Sequence, residues 1–196
     1  MIINHDKKYL FIHVPRTGGT SLKDALILQD NGKEFVKPHG QAQEAKAMLK
    51  DKWDSYFKFA FVRNPHDWIL SLYHHIINTP LHVHYETVRG ITFNDYIEWR
   101  WKFDRRGQWW HLSDDYGGKL IIDRVYKYEN YDDNIRELNA ILKTNLKPGR
   151  KNSSSHKPWE KVYNMNMIKR IENTFGKDFE WFKYGKVSKN LQRRFL

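Results

Sequence analysis

The sequence predicts an α/β fold, a single domain with a central parallel sheet flanked by helices. Two observations carry this. An apolar run at Leu10–Val14 passes through a glycine-bearing turn into Leu22, Ala25 and Leu26, which recur at helical spacing. A second run, Tyr56–Val62, leads through Asn64-Pro65 into another helical pattern. Strands that alternate with helices favour a parallel sheet covered by helices. The 196 residues show no internal repeat and no boundary in composition, so one domain spans 1–196.

Composition narrows the function classes. Charged residues make up 29% and hydrophobic ones 40%, which suits a folded globular chain. The net charge of +11 implies an anionic partner, and nucleic acid, acidic polysaccharide and phosphorylated nucleotide all qualify. The aromatic share of 15%, with eight Trp, provides core material or platforms for sugars or bases. With no Cys, disulfides, thiolate catalysis and Cys-type zinc sites are excluded. No apolar run is long enough to span a membrane, and Met1–Lys8 lacks a signal-peptide core, so a cytoplasmic location is expected.

The first loop, Pro15-Arg16-Thr17-Gly18-Gly19-Thr20-Ser21, aims backbone N–H groups and a helix N-terminus at one point. Such a point attracts an anion, because free donors and the helix dipole both favour negative charge. Arg16 adds a planar cation, and Thr20 and Ser21 add hydroxyl donors. A plain strand-to-helix turn needs neither. No Gly-Lys-Ser/Thr string occurs, so this is not a Walker A loop.

Asp30-Asn31-Gly32 ends the first helix, and Glu34–Lys37 reads as a short strand. Gln41–Lys50 reads as a helix with Ala42, Ala45 and Leu49 on one face. His39 then lies just before a helix N-terminus, where the dipole favours neutral imidazole. A surface turn histidine and a general base both fit that position. After the strand Tyr56–Val62, Asn64 is a good N-cap and Pro65 a good first helical residue. Ile69, Leu72, Tyr73 and Ile76 form the apolar stripe of that helix, and Ser71 falls off it as an exposed serine. His74, His75, His82 and His84 match no standard metal spacing. Leu81–Gly90 reads as irregular, and Thr92–Phe103 as a helix whose end carries a basic cluster of Arg100, Lys102, Arg105 and Arg106. Asp132–Leu142 reads as a helix with Ile135, Leu138 and Ile141 inward. The loop around Lys147–His156 is of low complexity and carries the basic pair Arg150-Lys151. Met165–Phe182 reads as a final helix that Gly176 interrupts, followed by a basic tail, Lys189–Leu196.

Phe11–Ser21 resembles the 5′-phosphosulfate-binding loop of sulfotransferases. The match is to the carbohydrate-sulfotransferase type, Phe-x-His-Ile-Pro-Lys-Thr-Gly-Gly-Thr-Ser, with Arg16 where the family usually has Lys. Phe61–Pro65 through Ser71-Leu72-Tyr73 resembles the family's 3′-phosphate loop. The segment with Asn152, Ser154 and His156 is similar to the one that closes over the nucleotide. Gln108, Leu112 and Asp114, then Glu129-Asn130, match further weak positions.

The resemblance implies a P-loop-NTPase-like, three-layer fold and the donor 3′-phosphoadenosine 5′-phosphosulfate (PAPS), with no metal. It implies donor binding by Arg16, Thr17, Gly18, Gly19, Thr20, Ser21, Arg63, Ser71, Arg150, Lys151, Asn152 and Ser154. His39 matches the proposed base of some branches. Other branches use a Glu, which makes Glu44 the second candidate. Arg16 would neutralise charge on the leaving phosphate. The implied acceptor is a hydroxyl, with carbohydrate favoured by the Arg100 cluster and the Trp content. Animal relatives are typically anchored Golgi proteins, and the absence of an anchor here implies a cytoplasmic, microbial or viral setting. The competing readings are a P-loop kinase or NTPase, and a basic nucleic-acid-binding domain.

Overall fold

The computed structural model describes all residues except 38, 115–116, 150–155 and 189–196. In chain order the elements are β1 (Ile2–Asn4), β2 (Tyr9–Ile12), α1 (Gly19–Asp30), β3 (Lys33–Glu34), α2 (Ala42–Leu49), β4 (Phe57–Val62), α3 (Pro65–Ile77), α4 (Tyr85–Val88), α5 (Phe93–Phe103), β5 (Arg124–Lys127), α6 (Tyr131–Leu142), α7 (Met165–Thr174) and α8 (Gly176–Trp181), with short 3-10 turns between them. The expected residues Arg150, Lys151, Asn152 and Ser154, and the basic tail, lie outside the described residues. Contacts separate two compact units, one built from Met1–Arg63 and the chain that resumes at Gln108, the other from Asn64–Gly107 and the chain from His156 onward.

The first unit holds the sheet, in the order β3-β1-β2-β4-β5. β2, β4 and β5 run parallel, with Phe11 opposite Phe59 and Phe61 opposite Tyr126. The sheet is mixed rather than parallel throughout, because β1 pairs antiparallel with both β2 and β3. The cause is a hairpin inside the segment read as a polar tail. Asn4 Oδ1 accepts from the backbone N–H groups of Asp6 and Lys7 at 3.0 and 2.8 Å. This Asx-type turn reverses the chain and sends Ile2 and Ile3 into the core. β3 is two exposed residues where a longer strand was expected.

Alternate residues of the parallel strands, Tyr9, Phe11, Phe59, Phe61 and Tyr126, share one core with Leu22, Ala25 and Leu26 of α1 and Ile135, Leu138 and Leu142 of α6. The register of α6 differs from the sequence expectation. Leu142 is 6% exposed, whereas Ile141 is 45% exposed. Lys58, buried within β4, reaches Asp123 at 3.0 Å and fixes the approach to β5.

In the second unit, α3, α5, α7 and α8 bury Trp68, Ile69, Ile76, Tyr96, Ile97, Ile171, Phe175 and Phe179 together. The Asn64 cap and the break near Gly176 fall as the sequence indicates, and Thr92 caps α5 rather than belonging to it. Asn64 accepts from His66 N at 3.0 Å, Thr92 from Asp95 N at 3.2 Å, and Phe175 separates α7 from α8 just before Gly176. The short α4 forms inside the stretch expected to be irregular. Arg100 also departs from expectation. It is 6% exposed, pairs with Asp104 at 2.8 Å, donates to the Arg106 carbonyl at 2.6 Å, and lies over the rings of Trp68 and Phe175. The expected basic surface cluster therefore loses one member to the core. Among the described residues no helix is long and apolar enough to cross a membrane.

Leu142→Ala should cost about 2–5 kcal/mol in urea unfolding, and Ile141→Ala less than about 0.5 kcal/mol, because only the first vacates packed volume.

Candidate active site

β2 and β4 are parallel neighbours, so the loops that follow them leave the same end of the sheet side by side. In open α/β sheets this carboxyl end is where ligands bind. The loop after β2 enters α1 through Gly18, its N-cap, at φ +78°. That conformation suits glycine. A Cβ there would also meet Tyr128 Cε2 at 2.8 Å. Gly18 offers no side-chain cap, and the first turn of α1 has no acid. The N-terminus of α1 therefore keeps its positive potential for a ligand. Thr17 is buried and donates from Oγ1 to the Val14 carbonyl at 2.8 Å, which ties the loop to its strand. Ser21 is buried in the first turn and Thr20 is exposed.

Arg16 takes a left-handed backbone at φ 61°, which is costly for a residue with a Cβ. Arg63, which follows β4, donates from Nη1 to the Arg16 carbonyl at 3.3 Å and lies 4.8 Å from the centre of the Tyr128 ring. Gln108 fixes the Arg63 backbone at two points. Its Oε1 accepts from Arg63 N at 2.8 Å, and its Nε2 donates to Arg63 O at 2.7 Å. The Arg16 guanidinium is pulled below its ordinary pKa by partial burial and then by the like charge of Arg63. Two cations brought this close, beside an open helix N-terminus, suit a phosphate-type anion.

His39 also has a left-handed backbone, φ 55°. Its Nδ1 lies 3.0 Å from the His13 carbonyl, and the two imidazole rings are 4.4 Å apart. His39 is exposed overall, and desolvation on its packed side is the main cause that lowers its pKa; the His13 carbonyl works against the shift, and Lys23 adds to it. The expectation of a neutral imidazole thus agrees with the structure, with desolvation rather than a helix dipole as the leading cause. Glu44 has other work. Its Oε2 accepts from Gln41 N at 2.8 Å in the capping box of α2, its Oε1 pairs with Lys37 at 2.6 Å, and its pKa lies below the ordinary value. Those contacts hold it as a carboxylate at the helix start.

In the second unit, Ser71 on α3 is fully buried. The stripe argument that left it exposed fails because α3 is covered nearly all round, with eight of its residues buried. His66 is buried as well, stacked on Trp159 at 4.4 Å, with Glu172 3.6 Å from Nε2. Burial holds its pKa down to about 4 despite Glu172. Among the described residues no group of three or more His, Cys, Asp or Glu could hold a metal. His74, His75, His82 and His84 instead pack on other rings, for example His84 on Trp99 at 5.0 Å.

Sequence reasoning missed the parts played by His13, Gln108, Tyr128 and Tyr131. Tyr131 Oη lies 3.4 Å from the Gly18 carbonyl. A usable signal was position, since His13 and Tyr128 stand immediately after parallel strands.

A family profile described as "Sulfotransferase family" matches residues 1–185. The chain belongs to the sulfotransferase family. Among curated proteins no match was found. Among solved structures, the crystal structure of mouse sulfotransferase SULT7A1 complexed with PAP is similar at a TM-score of 0.64 and 12% identity, covering 96% of this chain and 89% of the other. This similarity shows a shared fold and agrees with the sulfotransferase-like α/β architecture read from the sequence.

His66 gives a pH prediction. Its pKa falls from 6.5 in the unfolded chain to about 4 in the fold, so the unfolded state binds more protons between those values. Stability should fall as pH drops through that window, and the drop in urea midpoint between pH 7 and pH 5 should be smaller in His66→Phe. Gly19→Ala should lower stability by about 1–3 kcal/mol in the same assay, because the added Cβ would lie 2.1 Å from His13 Cδ2.

Proposed function

We propose that this protein transfers a sulfuryl group from PAPS to an acceptor hydroxyl, with Arg16 and Arg63 holding the nucleotide and His39 as general base. The reading is supported above all by the juxtaposed Arg16 and Arg63 at the open N-terminus of α1, within a chain of the sulfotransferase family. PAP also fits because the similar mouse structure was solved with it.

Arg16 and the N–H groups of residues 17–21, with the Thr20 and Ser21 hydroxyls, would face the 5′-phosphosulfate, where Gly18 and Gly19 let an oxyanion approach. Arg63, with Tyr128 behind its guanidinium, would hold the 3′-phosphate, and Ser71 keeps the role that its resemblance gives it. Arg150, Lys151, Asn152 and Ser154 keep the role that their resemblance gives them. When bound, PAPS supplies an activated sulfuryl group on a phosphate leaving group. The chain's part is positioning and charge. Arg16 offsets negative charge gathering at the phosphate, as in phosphoryl transfer, and no metal is required for that. His39 carries its proton on Nδ1, toward the His13 carbonyl, so Nε2 is left to take the acceptor's proton. Glu44, held by its cap and Lys37, is the weaker candidate.

For the acceptor, the reading is a carbohydrate hydroxyl. Half-buried Trp109 and Trp110 in the first unit give flat, amphipathic surface suited to a sugar. The family profile spans residues of both units, which supports treating 1–196 as one sulfotransferase domain.

Calorimetry with PAP, ADP and ATP tests the donor. PAP should bind at least about tenfold tighter than ADP, and Arg63→Ala or Ser71→Ala should erase that preference, as expected for loss of a charge-assisted hydrogen bond. Equal affinity of the native protein for ADP and PAP would overturn the donor assignment. With a polysaccharide panel as acceptor and PAP release as readout, His39→Ala should lower kcat by about 10²–10⁴-fold while PAP affinity holds.

A further inference from the structure

His13 closes β2 and opens the loop, yet nothing above gives its side chain a task. The ring is 7% exposed. One side stacks on Phe11 at 5.6 Å and 23°. Another lies on the Cα of Gly19, so closely that a Cβ there would sit 2.1 Å from Cδ2 and 2.3 Å from Nε2. The ring also meets His39 at 4.4 Å, tilted by 55°. His13 and His39 line one cavity of about 150 Å³, together with Thr20, Lys23, Glu34 and Val36. The loop that carries Arg16 and the residue read as the base are therefore joined through one buried imidazole.

We propose that His13 is a positioning residue for sulfuryl transfer: its ring is the rest against which His39 is set, and its carbonyl selects the His39 tautomer that leaves Nε2 unprotonated. The inference rests on the reading of His39 as base. A carbonyl can only accept, so Nδ1 must carry the proton. The ring of His13 contributes shape and dryness rather than charge, because burial keeps it neutral with a pKa of about 2.

The charged groups around His39 act from several elements. Lys23 on α1 and the terminal amine ahead of β1 both disfavour imidazolium. Glu34 on β3 lines the cavity, and the His13 carbonyl favours the protonated ring. Removing the His13 ring would let water reach the shared face of His39. The largest cause of its lowered pKa would then weaken, and the base would titrate nearer its ordinary value. The same geometry explains the second glycine of the motif, since Gly19 makes room for the His13 ring rather than for the ligand alone.

The test compares native protein, His13→Ala and His13→Phe by PAP release across pH 5–8.5, with PAP affinity from calorimetry. His13→Ala should lose about tenfold or more in kcat, keep PAP affinity within about threefold, and move the acid limb of the profile upward. His13→Phe, which keeps a flat ring, should hold the native limb. An unmoved limb in His13→Ala, equal shifts in Ala and Phe, or a PAP affinity that falls in step with kcat would each overturn the proposal. A measurement on the native protein does not depend on any variant folding. Nitrogen NMR of labelled histidine should find His39 as the Nδ1–H tautomer at pH 7, and the Nε2–H form would overturn the proposal. The base reading fails separately. If His39→Ala keeps native kcat, that reading falls, whereas an inactive His39→Ala beside an unmoved His13→Ala profile removes only the role of His13.

Discussion

Two positive charges held near each other mark the carboxyl end of the sheet, and a pair of parallel strands holds them there. β2 and β4 lie in register, Ile12 opposite Ala60, so the chain leaves both strands at the same level of the sheet. Arg16 emerges from one and Arg63 from the other. Left alone, two guanidinium groups repel, and the lowered pKa of Arg16 reflects first its partial burial and then that repulsion. The fold sustains it through neutral contacts to the backbone and to rings: the Arg16 carbonyl, the Tyr128 face and the Gln108 amide. None of these supplies the negative charge that would quench the pair.

Backbone strain gathers at the same end. Arg16 and His39 both hold left-handed conformations that most side chains avoid. In each case the surroundings fix the conformation: Thr17 and Arg63 grip the backbone next to Arg16 and at its carbonyl, and the His13 carbonyl holds His39. Elsewhere the chain settles charge internally. Arg100 pairs with Asp104 inside the second unit and is covered by Trp68 and Phe175. The contrast separates a cation paired inside a core from two cations brought together where parallel strands end, a distinction that net charge cannot make.

Local chemistry made much of the architecture legible. The two strand-turn-helix units, the Asn64-Pro65 cap and the break near Gly176 follow from capping and periodicity, which depend on neighbours in sequence. The first strand was hidden because Ile2-Ile3 stands beside a run of charged turn residues, and the Asx turn that redeems it is a three-dimensional feature. Helical periodicity misplaced Ser71 and Ile141 because it assumes one buried face. α3 is covered on several sides, and α6 buries Ile135 and Leu138 as expected but takes its third inward residue at Leu142, four positions on rather than three. The motif residues of the loops were legible as residue types. What stayed illegible was the supporting cast, His13, Gln108, Tyr128 and Tyr131, whose meaning lies in distances of 3 to 5 Å between parts of the chain far apart in sequence.

The double hydrogen bond between Gln108 and the Arg63 main chain has a wider consequence. It staples the exit and the return of the long excursion from Asn64 to Gly107. An excursion sewn shut at its base can be lengthened, shortened or exchanged while the strand end beneath it stays put. Changes in the loops that join α3, α4 and α5 would then leave the Arg63 main chain where Gln108 holds it.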